Sequence, residues 1–248
     1  INLKAVNSGQ LEGEVNIGDK NKGDKVMFDY CGDHFEIKNF DAISSRTSEN
    51  KQNYTLGQGE RLEMSWVLEQ KGGRIPQTGI TCSIRFQLPF KYSVRAYKQI
   101  QIKENKGVEG SSELSSRSSA GPMRIDTEIS GSTSDKPGTI IKGDEASLYI
   151  TGYNRAENKD SPYTGLIEDT SLEVEPYSDK IEFVNDCGSS ETAQLASGNK
   201  VIHKCDINTS KFPDSSTQSI ESEITANINY TYVRDLGDKE IEVSPSGY

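Results

Sequence analysis

The sequence predicts an all-β protein with two tandem β-sandwich domains, and three observations lead to this fold class. The 248 residues exceed the usual size of one domain, so two domains of about 100 to 150 residues are expected. Only 32% of the residues are hydrophobic, whereas 22 are Gly and 11 are Tyr, which fits thin layers of short strands. Period-2 alternation recurs along the chain, and no window of a dozen residues has a helical apolar stripe.

A Ser-rich segment divides the sequence into two halves. Six of the nine residues 111–119 are Ser, and no apolar periodicity continues through them. Such a composition is typical of a linker. We therefore predict a first domain over residues 1–105, a linker over 106–121 and a second domain over 122–248.

The two halves share an order of features. Lys22-Gly23-Asp24 leads into an alternating strand over 26–30, and Lys142-Gly143-Asp144 leads into one over 148–150. Both halves close on two alternating runs separated by a few residues that include Arg and Lys, which predicts two terminal hairpins. The halves are therefore related either by duplication or by chance similarity. The other predicted strands cover 1–5, 13–17, 35–40, 61–68, 79–88, 123–129, 139–141, 171–175, 180–184 and 200–207.

The four cysteines form an even set without a Cys-x-x-Cys pair, which indicates structural disulfides in an oxidising compartment. Three pairings can be drawn, and the domain division favours Cys31 with Cys82 and Cys187 with Cys205. The order Cys31, Trp66, Cys82 is similar to that of an immunoglobulin domain, but Trp66 lies nearer the second cysteine than the first. The domains are therefore predicted to be immunoglobulin-like only in the loose sense of a sandwich.

Three sequons match the acceptor pattern for N-glycosylation, at Asn53, Asn208 and Asn229. This pattern is compatible with export, although it also arises by chance in a chain rich in Asn, Ser and Thr. We predict glycosylation at these three positions.

The motifs of enzyme active sites are missing from the sequence. His34 and His203 are the only histidines, and neither is near a nucleophile motif, so we predict that the protein is not an enzyme. The two histidines with Cys31 and Cys205 would make a zinc ligand set. Because these pairs fall in different predicted domains and disulfides account for all four cysteines, we predict no metal site.

Calcium is the alternative to having no cofactor. Residues 18–24 begin like an EF-hand loop, but the glycine position holds Asp24 and the twelfth position holds Tyr30, so a turn is predicted there instead. An irregular calcium site would use the loop carboxylates Asp160, Glu168 and Asp169.

The charge of the chain excludes some partners. The formal net charge is −10, and no cluster of Lys and Arg is present, so we expect neither a nucleic acid nor an anionic membrane surface as partner. No run approaches 18 apolar residues, and we therefore expect no transmembrane segment.

Two functions remain. The first is a subunit of an extracellular filament or surface layer, in which the alternating residues Ile1, Leu3 and Ala5 form a strand that adds to the sheet edge of another copy. The second is the ectodomain of an adhesin or receptor that binds a protein or a glycan through its loops. Aromatic residues near predicted loops would suit the second function: Tyr153, Tyr163, Tyr177 and Phe212.

The alternating, Tyr-containing segment over 220–243 and the acidic surface rich in Ser, Thr and Asn carry a resemblance to a known class. In these features the chain resembles the extracellular β-domains of archaeal surface and pilus-like filament proteins. The resemblance implies a glycosylated homopolymer at the cell surface, with the chain itself as partner.

Overall fold

The computed structural model describes residues 1–7, 12–72, 78–104, 114–131, 138–155, 165–177, 181–184, 187, 200–212 and 219–244. The predicted all-β class is confirmed, because these residues form fifteen strands and no α-helix. The strands are β1 (Asn2–Val6), β2 (Gly13–Asn16), β3 (Met27–Asp29), β4 (Phe35–Ser44), β5 (Asn53–Leu56), β6 (Arg61–Gln70), β7 (Ile80–Lys103), β8 (Ser116–Ser118), β9 (Met123–Ser130), β10 (Thr139–Ile141), β11 (Ala146–Asn154), β12 (Gly165–Pro176), β13 (Glu182–Phe183), β14 (Lys200–Asn208) and β15 (Ser219–Val243).

The chain forms two compact units whose limits differ from the predicted domains. The first unit consists of Ile1–Tyr92 with Thr231–Tyr248, and the second consists of Ser93–Tyr230. The long strands β7 and β15 therefore contribute residues to both units. In the predicted linker, Ser116–Ser118 form β8, which pairs with Ala96–Lys98 of β7. Serine tolerates an extended backbone, so a Ser-rich segment can form a strand where a partner strand is available.

The first unit contains a three-stranded antiparallel sheet in the order β1-β6-β4. A second group of strands joins β2 to β5 and joins both β2 and β3 to the first part of β7. Alternate residues of β6 face inward, and Leu62, Met64 and Trp66 are buried. Buried apolar residues from both groups make the core of this unit.

Aromatic side chains occupy the centre of that core. The Trp66 ring centroid lies 5.1 Å from that of Phe40 and 5.9 Å from that of Phe86. Gly23 packs against this cluster with a φ of 59°, and an added Cβ atom would lie 2.6 Å from a Phe40 ring carbon. A glycine is required there both by the backbone conformation and by the close approach.

The second unit contains a four-stranded antiparallel sheet in the order β13-β14-β11-β9. Its β11 alternates strictly, so that Leu148 and Ile150 are buried while Tyr149 and Thr151 lie on the other, half-buried face. The later part of β7 pairs with β8 in an antiparallel ladder and with β10 in a parallel one. Strand β12 pairs with β15.

The predicted terminal hairpins are wrong. Residues 80–103 form the single strand β7, and residues 219–243 form the single strand β15. In β7 every even-numbered residue from Cys82 to Ile102 except the half-buried Tyr92 is buried, so the alternation keeps its phase past Arg95. No Gly, Pro or Asn is present between Arg95 and Lys98 to form a tight turn, and the strand therefore continues.

Candidate functional site

Strand β1 is an edge strand of the three-stranded sheet, and its hydrogen bonds show which of its backbone groups face outward. The N-terminal amine of Ile1 donates to the carbonyl of Trp66 at 2.8 Å, and Trp66 N–H donates back to the carbonyl of Ile1 at 2.9 Å. Asn7 N–H donates to the carbonyl of Glu60 in the same ladder. Because bonded pairs alternate along an antiparallel ladder, the backbone groups of Asn2 and Lys4 face away from β6.

The backbone N–H and C=O groups at Asn2, Lys4 and Val6 have no partner among the described residues. Their side chains also share one exposed face of the sheet. Here Lys4 Nζ lies 3.2 Å from Glu63 Oε1 on β6, in an exposed ion pair. In the part of the chain that the structure describes, the outward side of β1 is therefore an open template for a further strand.

At the opposite edge of the same sheet, the later part of β4 is closed by one side chain and one backbone carbonyl of the same chain. The Asn50 side chain accepts a 2.7 Å hydrogen bond from Ala42 N–H and donates a 2.8 Å hydrogen bond to the carbonyl of Phe40. One residue pair further along, Ser44 N–H donates to the carbonyl of Thr47. These bonds occupy the outward groups that an added strand would need along residues 40–44, so this part of β4 is protected from edge pairing.

An apolar groove of about 390 Å³ adjoins the start of β1. Its lining includes Ile1, Phe35, Leu68, Ile84, Ile241 and Val243. Hydrogen-bonded residues alternate along β6, so the backbone groups of Leu68, like those of Trp66, point toward the β1 side. Leu68 lies past the end of β1 at Ile1, and no described residue pairs with its backbone groups there. The groove thus combines an apolar surface with unpaired backbone groups at its rim.

Asn7 anchors the end of β1 to the first unit. It is 1% exposed, its side-chain amide donates to the carbonyl of Leu56 at 2.7 Å, and its side-chain oxygen accepts from Tyr92 Oη at 2.6 Å. Gly59 N–H also donates to the Asn7 carbonyl. The strand is therefore held on its inner side while its outer side is open.

An ion-pair network supports the turn that receives Asn7. Arg46 lies 2.8 Å from Glu60 and 2.9 Å from Glu12, and Glu60 also accepts a hydrogen bond from Gly57 N–H. The hydrogen bond from Arg46 holds the pKa of the Glu60 carboxyl below its usual range, with the Gly57 N–H as a second cause. The paired carboxylates in turn raise the pKa of Arg46.

The residues predicted for assembly all belong to this site but face inward. Strand β1 pairs with β6 inside its own unit, and of the predicted residues Ile1 and Leu3 are half-buried and Ala5 is 7% exposed. The outward positions Asn2, Lys4 and Val6 were not predicted. Alternation in the sequence identifies two faces of a strand, but it does not show which backbone groups remain unpaired.

The structure has two disulfides. Cys31 is joined to Cys82 with a Cα–Cα distance of 5.9 Å, and Cys187 is joined to Cys205 with a Cα–Cα distance of 5.0 Å. The first bond lies within the first unit and the second bond within the second unit. Two thiols of the hypothetical zinc set, Cys31 and Cys205, are therefore not available as ligands.

The three predicted sequons differ in the exposure of their asparagine. Asn53 and Asn229 are exposed on strands, whereas Asn208 is half-buried and its side-chain oxygen accepts a 2.8 Å hydrogen bond from Ser210 N–H.

Of the three carboxylates predicted for a calcium site, Glu168 lies on β12, but Asp160 and the side chain of Asp169 lie outside the described residues. In the part of the chain that the structure describes, no three His, Cys, Asp or Glu side chains converge as metal ligands.

The aromatic residues predicted for glycan stacking are dispersed. Tyr153 is half-buried on β11, Tyr177 is 88% exposed after β12, and Phe212 is buried, so Phe212 is not accessible to a sugar. Tyr163 lies outside the described residues.

No helix long and apolar enough to cross a membrane is found among the described residues.

Taken together, the described features define an all-β protein with two disulfides and, on β1, an open sheet edge beside an apolar groove. Comparison with known proteins finds no matching family model, no similar curated protein and no similar solved structure.

Proposed function

We propose that the chain is a non-enzymatic structural protein of the cell surface, a subunit of a filament or surface layer that assembles through β-strand edges. In this proposal each of its two units is a loosely immunoglobulin-like β-sandwich, and its partner is another copy of itself. The resemblance to archaeal pilus-like proteins belongs to the same proposal.

The contrast between the two edges of the three-stranded sheet is the observation that carries this function. On β4, Asn50 and Thr47 close the edge along residues 40–44, whereas the outward groups of Asn2, Lys4 and Val6 have no partner among the described residues. A fold that protects one edge and leaves the other open is suited to adding a strand on the open side. The adjoining groove provides an apolar surface for side chains of the added strand.

Two further features support a location outside the cell. Both disulfides are compatible with an oxidising environment. The sequon residues Asn53 and Asn229 are exposed and thus accessible to a glycan. We propose a glycosylated extracellular protein on this basis.

Polymer formation by the disulfide-bonded 248-residue chain tests the function. Light scattering and negative-stain microscopy over a range of concentrations should detect regular polymers. A chain that stays monomeric at every concentration would refute the assembly function and favour the adhesin or receptor ectodomain, for which glycan and protein arrays are the next measurement.

The role of the open edge is tested by removing a single outward N–H group. Lys4→Pro should abolish polymers and leave the monomer folded, because the N–H of residue 4 makes no bond to β6 and proline is tolerated on edge strands. The control is Lys4→Ala, which also loses the positive charge and the ion pair with Glu63 but keeps the N–H group. It should therefore still form polymers, although at a higher protein concentration. If both variants form polymers as the native chain does, the edge of β1 is not the assembly surface.

A further inference from the structure

We propose that the open edge of β1 binds the β12 edge of a second copy, so that copies join head to tail. This inference rests on the proposed function and names the partner surface within it. A contact between two different surfaces continues from copy to copy as an open polymer unless its rotation closes a ring. Head-to-tail pairing of β1 with β12 would therefore generate a filament.

Strand β12 is the end strand of its sheet, in which the order begins β12-β15-β7. It is twelve residues long, and among the described strands it pairs only with β15. Ser171, Glu173 and Glu175 alternate with the buried Leu172 and share an exposed face. The strand is thus long enough to receive the five residues of β1.

The charges of the two edges are complementary. Strand β12 carries four carboxylates and no Lys or Arg, whereas Lys4 is the only charged residue of β1. Neither Glu173 nor Glu175 is in a salt bridge among the described residues. The pKa of Arg95 is raised first by its hydrogen bond to Tyr97, and the charge of Glu175 adds a weaker contribution. Pairing β12 with a second β12 would set carboxylates against each other, and pairing β1 with a second β1 would bring the two Lys4 side chains together.

The other edge strands fit β1 less well. Strand β5 has no charged residue and carries the sequon at Asn53, where a glycan would block an approaching strand. On β9, Arg124 lies 2.8 Å from Asp126 and partly neutralises that edge. Strand β13 has two residues, and its Glu182 is paired with Lys211. Glu128 on β9 is also exposed and in no salt bridge among the described residues, but β12 presents two such carboxylates on one face, at Glu173 and Glu175. Strand β12 is therefore the edge that offers the most negative charge to Lys4.

Side-chain faces set the register of the proposed pairing. Lys4 belongs to the exposed face of β1, and Glu173 and Glu175 belong to the exposed face of β12. Opposed residues of adjacent strands project to the same face, so matching the exposed faces brings Lys4 beside these carboxylates. A shift by one residue would turn the half-buried Leu3 and the buried Ala5 toward the exposed face of β12.

Charge exchange tests the pairing in the full chain. Lys4→Glu should weaken self-association about tenfold at low ionic strength, because an attractive pair is replaced by a repulsive one. Glu173→Lys combined with Glu175→Lys should weaken it to a similar degree, and all three changes together should restore the native affinity. Lys200→Glu, at an exposed position of β14, is the control for the change in net charge and should have little effect.

A photo-crosslinking amino acid at position 2 locates the partner directly. In a mixture of isotopically labelled and unlabelled copies, crosslinked peptides should join position 2 of one copy to residues 165–177 of another. If polymers form but crosslink at other residues, and if their affinity does not change with the charge-exchange variants, this pairing is overturned while the proposed function stands. Absence of polymers from the native chain would instead remove the proposed function itself.

Discussion

The indole N–H of Trp66 donates a 2.8 Å hydrogen bond to the backbone carbonyl of Lys22. This bond attaches the Lys22-Gly23-Asp24 turn to the aromatic core of the first unit, where Gly23 lies against the rings of Phe40 and Trp66. Trp66 is the only tryptophan in the chain, so its fluorescence reports on this unit.

Gly23→Ala should destabilise the first unit by about 3 kcal/mol, because a Cβ atom there would clash with the two rings and the left-handed backbone adds strain. Denaturant unfolding followed by Trp66 fluorescence measures the change. The corresponding Gly143 has a φ of 80° but no atom within 4 Å of an added Cβ. Gly143→Ala, followed by far-UV circular dichroism, should therefore cost only about 1 kcal/mol. Equal losses at the two positions would contradict this explanation.

The two disulfides should differ in their contribution to stability. The first closes a separation of 51 residues and the second a separation of 18. The loop-entropy model gives about 4 kcal/mol for the first and about 3 kcal/mol for the second. Paired Cys→Ser variants of each bond, unfolded in urea, measure both values. A larger loss from the Cys187–Cys205 pair would show that loop entropy does not dominate.

Asn50→Ala should both destabilise the first unit and open its second edge. The side chain makes two hydrogen bonds to β4, and their loss should cost about 2 kcal/mol. Light scattering should also detect irregular aggregates, because Ala42 N–H and the Phe40 carbonyl become free to pair with another chain. Asn39→Ala is the matched control, since among the described residues the Asn39 amide bonds only the exposed Asp41. Unchanged solubility of Asn50→Ala would argue that β4 needs no protection.

Acid should weaken the first unit through Glu60. Because the pKa of Glu60 is lower in the folded chain than in the unfolded chain, the unfolded state binds more protons as the pH falls below the ordinary glutamate pKa of about 4.3. The stabilisation is therefore complete above that pH and is lost as the pH falls through the folded-state pKa. Glu60→Gln should flatten this part of the stability profile measured by Trp66 fluorescence. A profile with the native slope would rule out Glu60 as the cause.

His203 should make the second unit sensitive to milder acid. Its half-buried position on β14 lowers the pKa of the imidazole by desolvation. In mild acid the unfolded state therefore binds a proton at His203 more readily than the folded state does. Stability should fall as the pH drops through the ordinary histidine pKa of about 6.5. His203→Gln should remove this step from the profile measured by far-UV circular dichroism. His34→Gln, at an exposed position, should leave it unchanged.

Much of the secondary structure could be predicted because it depends on local patterns. The alternation of Leu148 with Ile150 and the turn at Gly143 are properties of a few adjacent residues, and both are present in the structure. The continuous phase from Cys82 to Ile102 is also a property of the sequence, yet we predicted a hairpin there and the structure has one strand. The site was harder to predict, because whether the backbone groups of Asn2 and Lys4 are unpaired depends on which strands lie on either side of β1.

The sequence by itself determined that the chain is all-β, since alternation, composition and turn residues act over short distances. Only the tertiary structure decided that β1 is an edge, that Asn50 closes β4 and that residues 231–243 belong with the first unit. These facts depend on contacts between residues far apart in the chain, such as the bond from Trp66 to Lys22 across 44 positions. The alternation of a strand constrains its register, but the choice of partner strand depends on the packing of whole sheets.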